Sequence, residues 1–199
     1  MKERYPKCLS YLETFKDELN ERSIRKRNET NWFQYGRSQS IKRFASGEHL
    51  IWAVLSTKGN YVYDQSQITF TGGGNGPFYG IEKKNNTKLS LFYIQALLNH
   101  WLLERIVKSK ASTFRGDYYS HGKQFIAKLP IYDINFDDPT EKVIHDNIVL
   151  KVKNMMQLTE QKNSMKTKEQ REMINRMICE EEKKMNSIID ELYGAESLM

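Results

Sequence analysis

Cysteine and histidine are scarce, with two and four residues respectively in a chain of 199. Cys8 and Cys179 lie far apart and no CxxC pair exists. That usage excludes a zinc site of ordinary spacing and a disulfide scaffold, and it suits a reducing, cytoplasmic setting. Long apolar runs are also missing. The most apolar stretch, residues 89–107, is interrupted by Gln95, Asn99, His100, Glu104 and Arg105, so no membrane partner or span is expected. The opening Met1–Pro6 is charged and no apolar segment follows it, unlike a secretory signal.

The usual marks of covalent chemistry are absent. There is no G-x-S-x-G, no H-E-x-x-H and no Asn-Pro-Pro-aromatic signature. The glycine-rich segment FTGGGNGPFYG at 70–80 invites comparison with phosphate-binding loops. However, Pro77 follows its last loop glycine and no G-K-[ST] occurs, so the lysine and hydroxyl of a P-loop are missing. What comes next, FYGI, is strand-like, so no helix N-terminus would face a ligand. The segment reads as a flexible turn between strands that can also approach DNA closely. Asp64 with Glu82-Lys83-Lys84 gives an acid followed by E-x-K, the minimal set of a Mg²⁺ nuclease using Asp64, Glu82 and Lys84. The same tripeptide pattern recurs at Glu182-x-Lys184 on a helix face, and Asp64 lacks the usual preceding proline. The residues thus indicate no catalytic site, no metal and no cofactor, with the nuclease kept as the alternative.

Charge is unevenly distributed. Residues 1–43 carry a net +5, residues 44–132 another +5, and residues 133–199 a net −4. A basic body with an acidic tail fits nucleic acid at one end and protein contacts at the other. Hydrophobic periodicity predicts a helix from Pro6 carrying Leu9, Leu12, Phe15 and Leu19 on one face. Strands are predicted in HLIWAVLS, YVYD, QITFT and FYGI, with a turn at Gly59-Asn60. A long helix is predicted over 88–108, a polar loop over 109–124, and a strand in FIAKLPIYDI. From Asp138-Pro139 two further helices follow, the second from about Lys168 to Tyr193 with Met173, Met177, Ile178, Met185, Ile188, Ile189 and Leu192 inward. Val143 and Ile148 are expected on the apolar face of the first, and Gly194 as the stop of the second. The fold class is α+β, a small mixed or antiparallel sheet core with packed helices, then a C-terminal helical hairpin. Residues 1–136 form the recognition part and 137–199 the helical segment.

Several loops mix cations with aromatics and amides. Cations and hydroxyls grip phosphates, and Arg, Lys, Asn and Gln read base edges. On that basis the DNA-binding residues are Arg37, Lys42, Arg43, Lys58, Asn75, Lys83, Lys84, Arg115, Tyr118, Tyr119, His121 and Lys123. Arg37, Asn75 and Arg115 are assigned to bases, the others mainly to phosphates. Packing competes as the role of Trp32, Phe33 and Tyr35, and equally of Tyr118 and Tyr119.

In order, the pieces YPKCLSYLETFKDELNER, WFQYGRSQSI, ITFTGGGNGPFYGI, LFYIQALLNHWLLERI, TFRGDYYSHGKQFIAKLPI and IIDELYG resemble the TaqI-like C-terminal specificity domain. This is the target-recognition domain of adenine-specific type II methyltransferases and type IIG restriction–modification enzymes. The resemblance implies a non-catalytic, sequence-specific reader of double-stranded DNA. Its partners would be the methyltransferase domain and, as a further candidate, a nuclease domain of the same enzyme. A base cannot be modified inside the stack, so a separate reader must hold the duplex while the catalytic domain flips its adenine. The helices would help dock the reader. Where the family usually has Leu-Asn-Ser, this chain has Leu98-Asn99-His100, expected to be a variation in packing. A protein-interaction module using the C-terminal helices is a second alternative.

Overall fold

Pro6 sits in the first turn of a helix, where its missing N–H leaves no bond unmade. The computed structural model describes residues 1–22, 30–34, 47–65, 68, 77–114 and 116–195. The expected N-terminal helix is two: α1 (Pro6–Glu13) and α2 (Lys16–Glu21), broken where the Thr14 hydroxyl bonds back to the Tyr11 carbonyl. Trp32 is buried and packs edge-on against Phe33, so packing describes this pair. Tyr35 lies outside the described residues.

The run HLIWAVLS gives two strands, β1 (His49–Ala53) and β2 (Leu55–Ser56). Val54 divides them because its N–H goes to the Pro77 carbonyl and its carbonyl takes the His121 N–H. The chain thereby passes from one antiparallel sheet to another. β1 lies between β3 (Val62–Tyr63) and β4 (Phe78–Glu82), while β2 joins a later hairpin, β5 (Thr113–Phe114) and β6 (Tyr118–Ser120). That hairpin replaces the polar loop expected over 109–124. QITFT falls almost wholly outside the described residues.

The long helix expected over 88–108 is instead α3 (Leu91–Asn99) and α4 (Trp101–Lys110). His100 is extended, with φ −71° and ψ 142°, and its Nδ1 accepts the Leu102 N–H at 3.4 Å. It therefore caps α4, as a serine does. At the departure from Leu-Asn-Ser, His100 thus serves as a helix cap. Nε2 of His100 lies 3.3 Å from Asp190 Oδ1, and the indole of Trp101 donates to that same oxygen at 2.9 Å. Burial, opposed by Asp190, pulls His100 below its ordinary pKa.

FIAKLPIYDI is not a strand. Its first residues end a short helix, α5 (Lys123–Ile126), whose turn bonds return to the Gly122 and Lys123 carbonyls. The extended stretch after it is satisfied by hydroxyls rather than a ladder. The Tyr132 N–H donates to the Tyr193 hydroxyl, which donates to the Pro130 carbonyl, and the Tyr93 hydroxyl donates to the Tyr132 carbonyl. The C-terminal hairpin is α6 (Pro139–Ser164) and α7 (Lys168–Leu192). Asp138 caps the first, a Thr167–Gln170 capping box opens the second, and Gly194 ends it at φ 60°. Met173, Met177 and Val143 are exposed, contrary to the expected inward faces, while Ile174 and His145 are buried. One apolar cluster includes Leu50 and Trp52 of β1, Leu97 of α3, Leu103 of α4, Ile148 of α6 and Ile189 of α7.

A neutral His100 is needed to accept at the cap, and its folded pKa lies below the ordinary 6.5. The unfolded chain therefore takes up the proton first, and stability falls as pH drops below about 6.5. His100→Asn keeps an acceptor at the cap. Urea unfolding between pH 7.5 and 5.5 is expected to show a smaller acid loss in this variant than in the parent.

Candidate nucleic-acid interface

Helix α3 separates two clefts. Gln95, Ala96 and Asn99 face a cleft of about 760 Å³, bounded across from them by the loop before β3 and by α6. Leu91, Ile94 and Leu98 face another, of about 850 Å³, bounded by β4 and α5. Lys83, Lys84 and Lys123 all line the second cleft. Two follow β4 directly and the third opens α5, so separate elements bring three cations to one apolar groove floored by Trp52, Tyr79 and Ile81. Lys58 lines the first cleft instead, among the amides Asn60, Gln65, Asn99 and Asn163. There the Tyr63 hydroxyl donates to Glu48, and burial together with that bond pushes it up to about 12. Tyr118 and Tyr119 lie on β6, the first exposed and the second half-buried under Lys108, whose Nζ is 4.9 Å from the ring centre. Arg37, Lys42, Arg43, Asn75 and Arg115 lie outside the described residues.

His121 is fully buried, so its ring meets protein atoms rather than a surface ligand. Nε2 lies 3.0 Å from Glu104 Oε2 and Nδ1 lies 3.0 Å from the Ser56 hydroxyl. Glu104 also accepts the Gly59 N–H at 3.1 Å and stands 3.5 Å from Lys108. Burial alone would raise the Glu104 pKa, but the hydrogen bond and charge of His121 outweigh it and hold the carboxyl below its ordinary value. The Trp52 indole donates to the His121 carbonyl at 2.8 Å. Gly59 has no room for a side chain, since a Cβ there would come within 2.8 Å of Glu104 Oε2 and 2.9 Å of the Tyr61 ring. Next to it, Asn99 accepts the Tyr61 N–H and donates to the Tyr61 carbonyl, at 3.0 and 2.8 Å. Sequence reasoning missed Glu104 and Asn99. The signal was present, because polar residues interrupting an apolar helical stripe need partners inside the protein.

The acids of the nuclease alternative, Asp64 and Glu82, flank His49 on either side. The Asp64 carboxylate is buried, 2.9 Å from His49 Nε2, and accepts the Ile68 N–H at 2.6 Å. Glu82 stands opposite His49 in the β1–β4 register. Among the described residues, no three His, Cys, Asp or Glu side chains are grouped closely enough to share a metal ion.

A model of the TaqI-like C-terminal specificity domain matches residues 7–131, more than half of the chain. The chain belongs to that family. This specificity domain is also similar to the Type II restriction enzyme and methyltransferase RM.Eco57I of Escherichia coli, at 32% identity over 198 residues. The match covers 97% of the chain and 20% of that protein, so the chain spans about a fifth of the relative's length. The family match ends just before α6, so the hairpin lies beyond it, although the relative's similarity continues through. No helix among the described residues is long and apolar enough to cross a membrane.

Glu104→Gln keeps the side chain's size but removes the charge held by His121 and the Gly59 amide. It is expected to cost about 1–3 kcal/mol in urea unfolding at pH 7. Because the folded carboxyl titrates below 4.5, its contribution is present above that pH and lost as pH falls through the folded value. The gap between parent and variant is expected to close on acidification.

Proposed function

We propose that this specificity domain reads a sequence in double-stranded DNA on behalf of an adenine-specific methyltransferase domain, and performs no covalent chemistry itself. The observation carrying the reading is the convergence of Lys83, Lys84 and Lys123 on one cleft in a chain of this family. Cations from two segments, Lys83-Lys84 after β4 and Lys123 of α5, suit the regular negative charge of a phosphate backbone. Lys58, on the other side of α3, would grip phosphate independently, as would Lys42 and Arg43. Tyr118 belongs to the DNA-facing set, Tyr119 packs under Lys108 on the opposite face of the β5–β6 hairpin, and base reading is assigned to Arg37, Asn75 and Arg115 on side-chain chemistry. His121 supports the surface from beneath rather than touching DNA. Residues 1–136 would be the reader and 137–199 the segment that docks it to the methyltransferase and to any nuclease domain, in the cytoplasm.

The test is fluorescence anisotropy of labelled duplex DNA across a salt series. The parent is expected to bind with an affinity that falls steeply with salt. Lys83→Ala should weaken all sequences alike and reduce the log–log salt slope by about one. Arg115→Ala should relax preference at one base position by about 1–3 kcal/mol, read by selection from a randomised duplex pool. Absence of salt-dependent binding would overturn the reading in favour of the protein-interaction module. The nuclease alternative is tested by incubating plasmid with the chain and Mg²⁺. No nicking is expected, whereas nicking that disappears in Asp64→Asn would establish the alternative.

A further inference from the structure

The β5–β6 hairpin has one face turned inward and one left to solvent. Phe114 stands opposite Tyr118 in register, Ser120 opposite Leu55, and Tyr119 opposite Ser56 and Thr113. Directly opposed residues share a face and neighbours along a strand alternate. Phe114, Tyr118 and Leu55 therefore lie on one face, and Tyr119 and Ser56 on the other. The second face is the packed one, because Lys108 covers the Tyr119 ring and Ser56 bonds to buried His121. On the first face, Phe114, Tyr118 and Leu55 are 52%, 43% and 46% exposed. The sequence flanking the ribbon is cationic: Lys110 ends α4 just before β5, and Lys123 opens α5 just after β6. Both are exposed, and Asp117 is the acid between them.

Apolar rings bracketed by cations match a partner whose interior is flat and apolar and whose outside is anionic, which is the chemistry of a base stack between phosphates. A two-stranded ribbon also fits the major groove, about 12 Å wide. We propose that the β5–β6 ribbon enters a groove of duplex DNA and sets the Phe114–Tyr118 pair against a base step as a wedge that opens the stack. This rests on the DNA-reading role above and adds to it a stacking residue, Phe114, and a stacking role for Tyr118 in place of a phosphate contact. Apolar wedges of this kind exchange base stacking for protein contact and kink the duplex.

The experiment compares a 30-base-pair duplex of arbitrary sequence with the same duplex carrying one central T·T mismatch, which is easier to unstack. Anisotropy titrations use the 199-residue chain and its Phe114→Ala, Phe114→Trp and Lys83→Ala variants. The parent is expected to prefer the mismatched duplex. Phe114→Ala is expected to bind the matched duplex about tenfold more weakly and to lose that preference, and Phe114→Trp to restore both. Lys83→Ala should weaken both duplexes equally and keep the preference. Salt-dependent binding by the parent with an unchanged mismatch preference in Phe114→Ala would overturn the wedge and leave the reader intact. If the parent binds neither duplex, the reader falls and the wedge with it. Loss of self-association in Phe114→Ala, seen by sedimentation without any change in DNA binding, would instead make the aromatic face a contact between copies of the chain.

Discussion

The contact between Glu104 and His121 is the constraint on which the basic half of the molecule depends. A carboxylate on α4 and an imidazole just after β6 meet at 3.0 Å inside the protein, so the second sheet cannot shift against the helix without leaving a buried polar group unpaired. The same carboxylate holds the Gly59 amide and so fixes the loop that carries Lys58. The backbone of His121 ties in Val54 and the indole of Trp52, placing the crossing between the two sheets at one point. One residue pair thereby sets the relation of β2, β6, α4 and the loop before β3.

Elements whose signals are local and periodic could be read from the sequence. The α6–α7 hairpin is set by Pro139 behind Asp138, by the Thr167 box and by Gly194, and those marks were visible. The strands β1, β3 and β4 were visible as apolar or alternating runs. Where the reading failed, a distant partner decided the outcome. Residues 88–108 have an unbroken helical pattern, yet His100 leaves it, and Asp190, about ninety residues later, partners both His100 and the Trp101 indole at the break. FIAKLPIYDI looks like a strand, but Gly122 starts a helical turn and Tyr193 supplies the bonds a neighbouring strand would have given. Propensity yields to tertiary contact in both cases.

The interface was less visible than the fold. Lysines carry no periodic signal, so nothing in the sequence says that Lys83, Lys84 and Lys123 share a cleft while Lys58 occupies another. Histidine misled for the opposite reason. His121 lies in a stretch rich in Ser, Tyr, Gly and Lys that reads as exposed, yet it is buried because Glu104 provides a partner from seventeen residues upstream.

Helix α3 also serves as a partition. With its side chains, an α-helix is about 10–12 Å across, so whatever occupies the lysine-lined groove and whatever occupies the amide-lined one stand one helix apart. Neither blocks the other. Each leans on opposite flanks of the same nine residues, so a rotation of α3 that tightens one groove necessarily loosens the other.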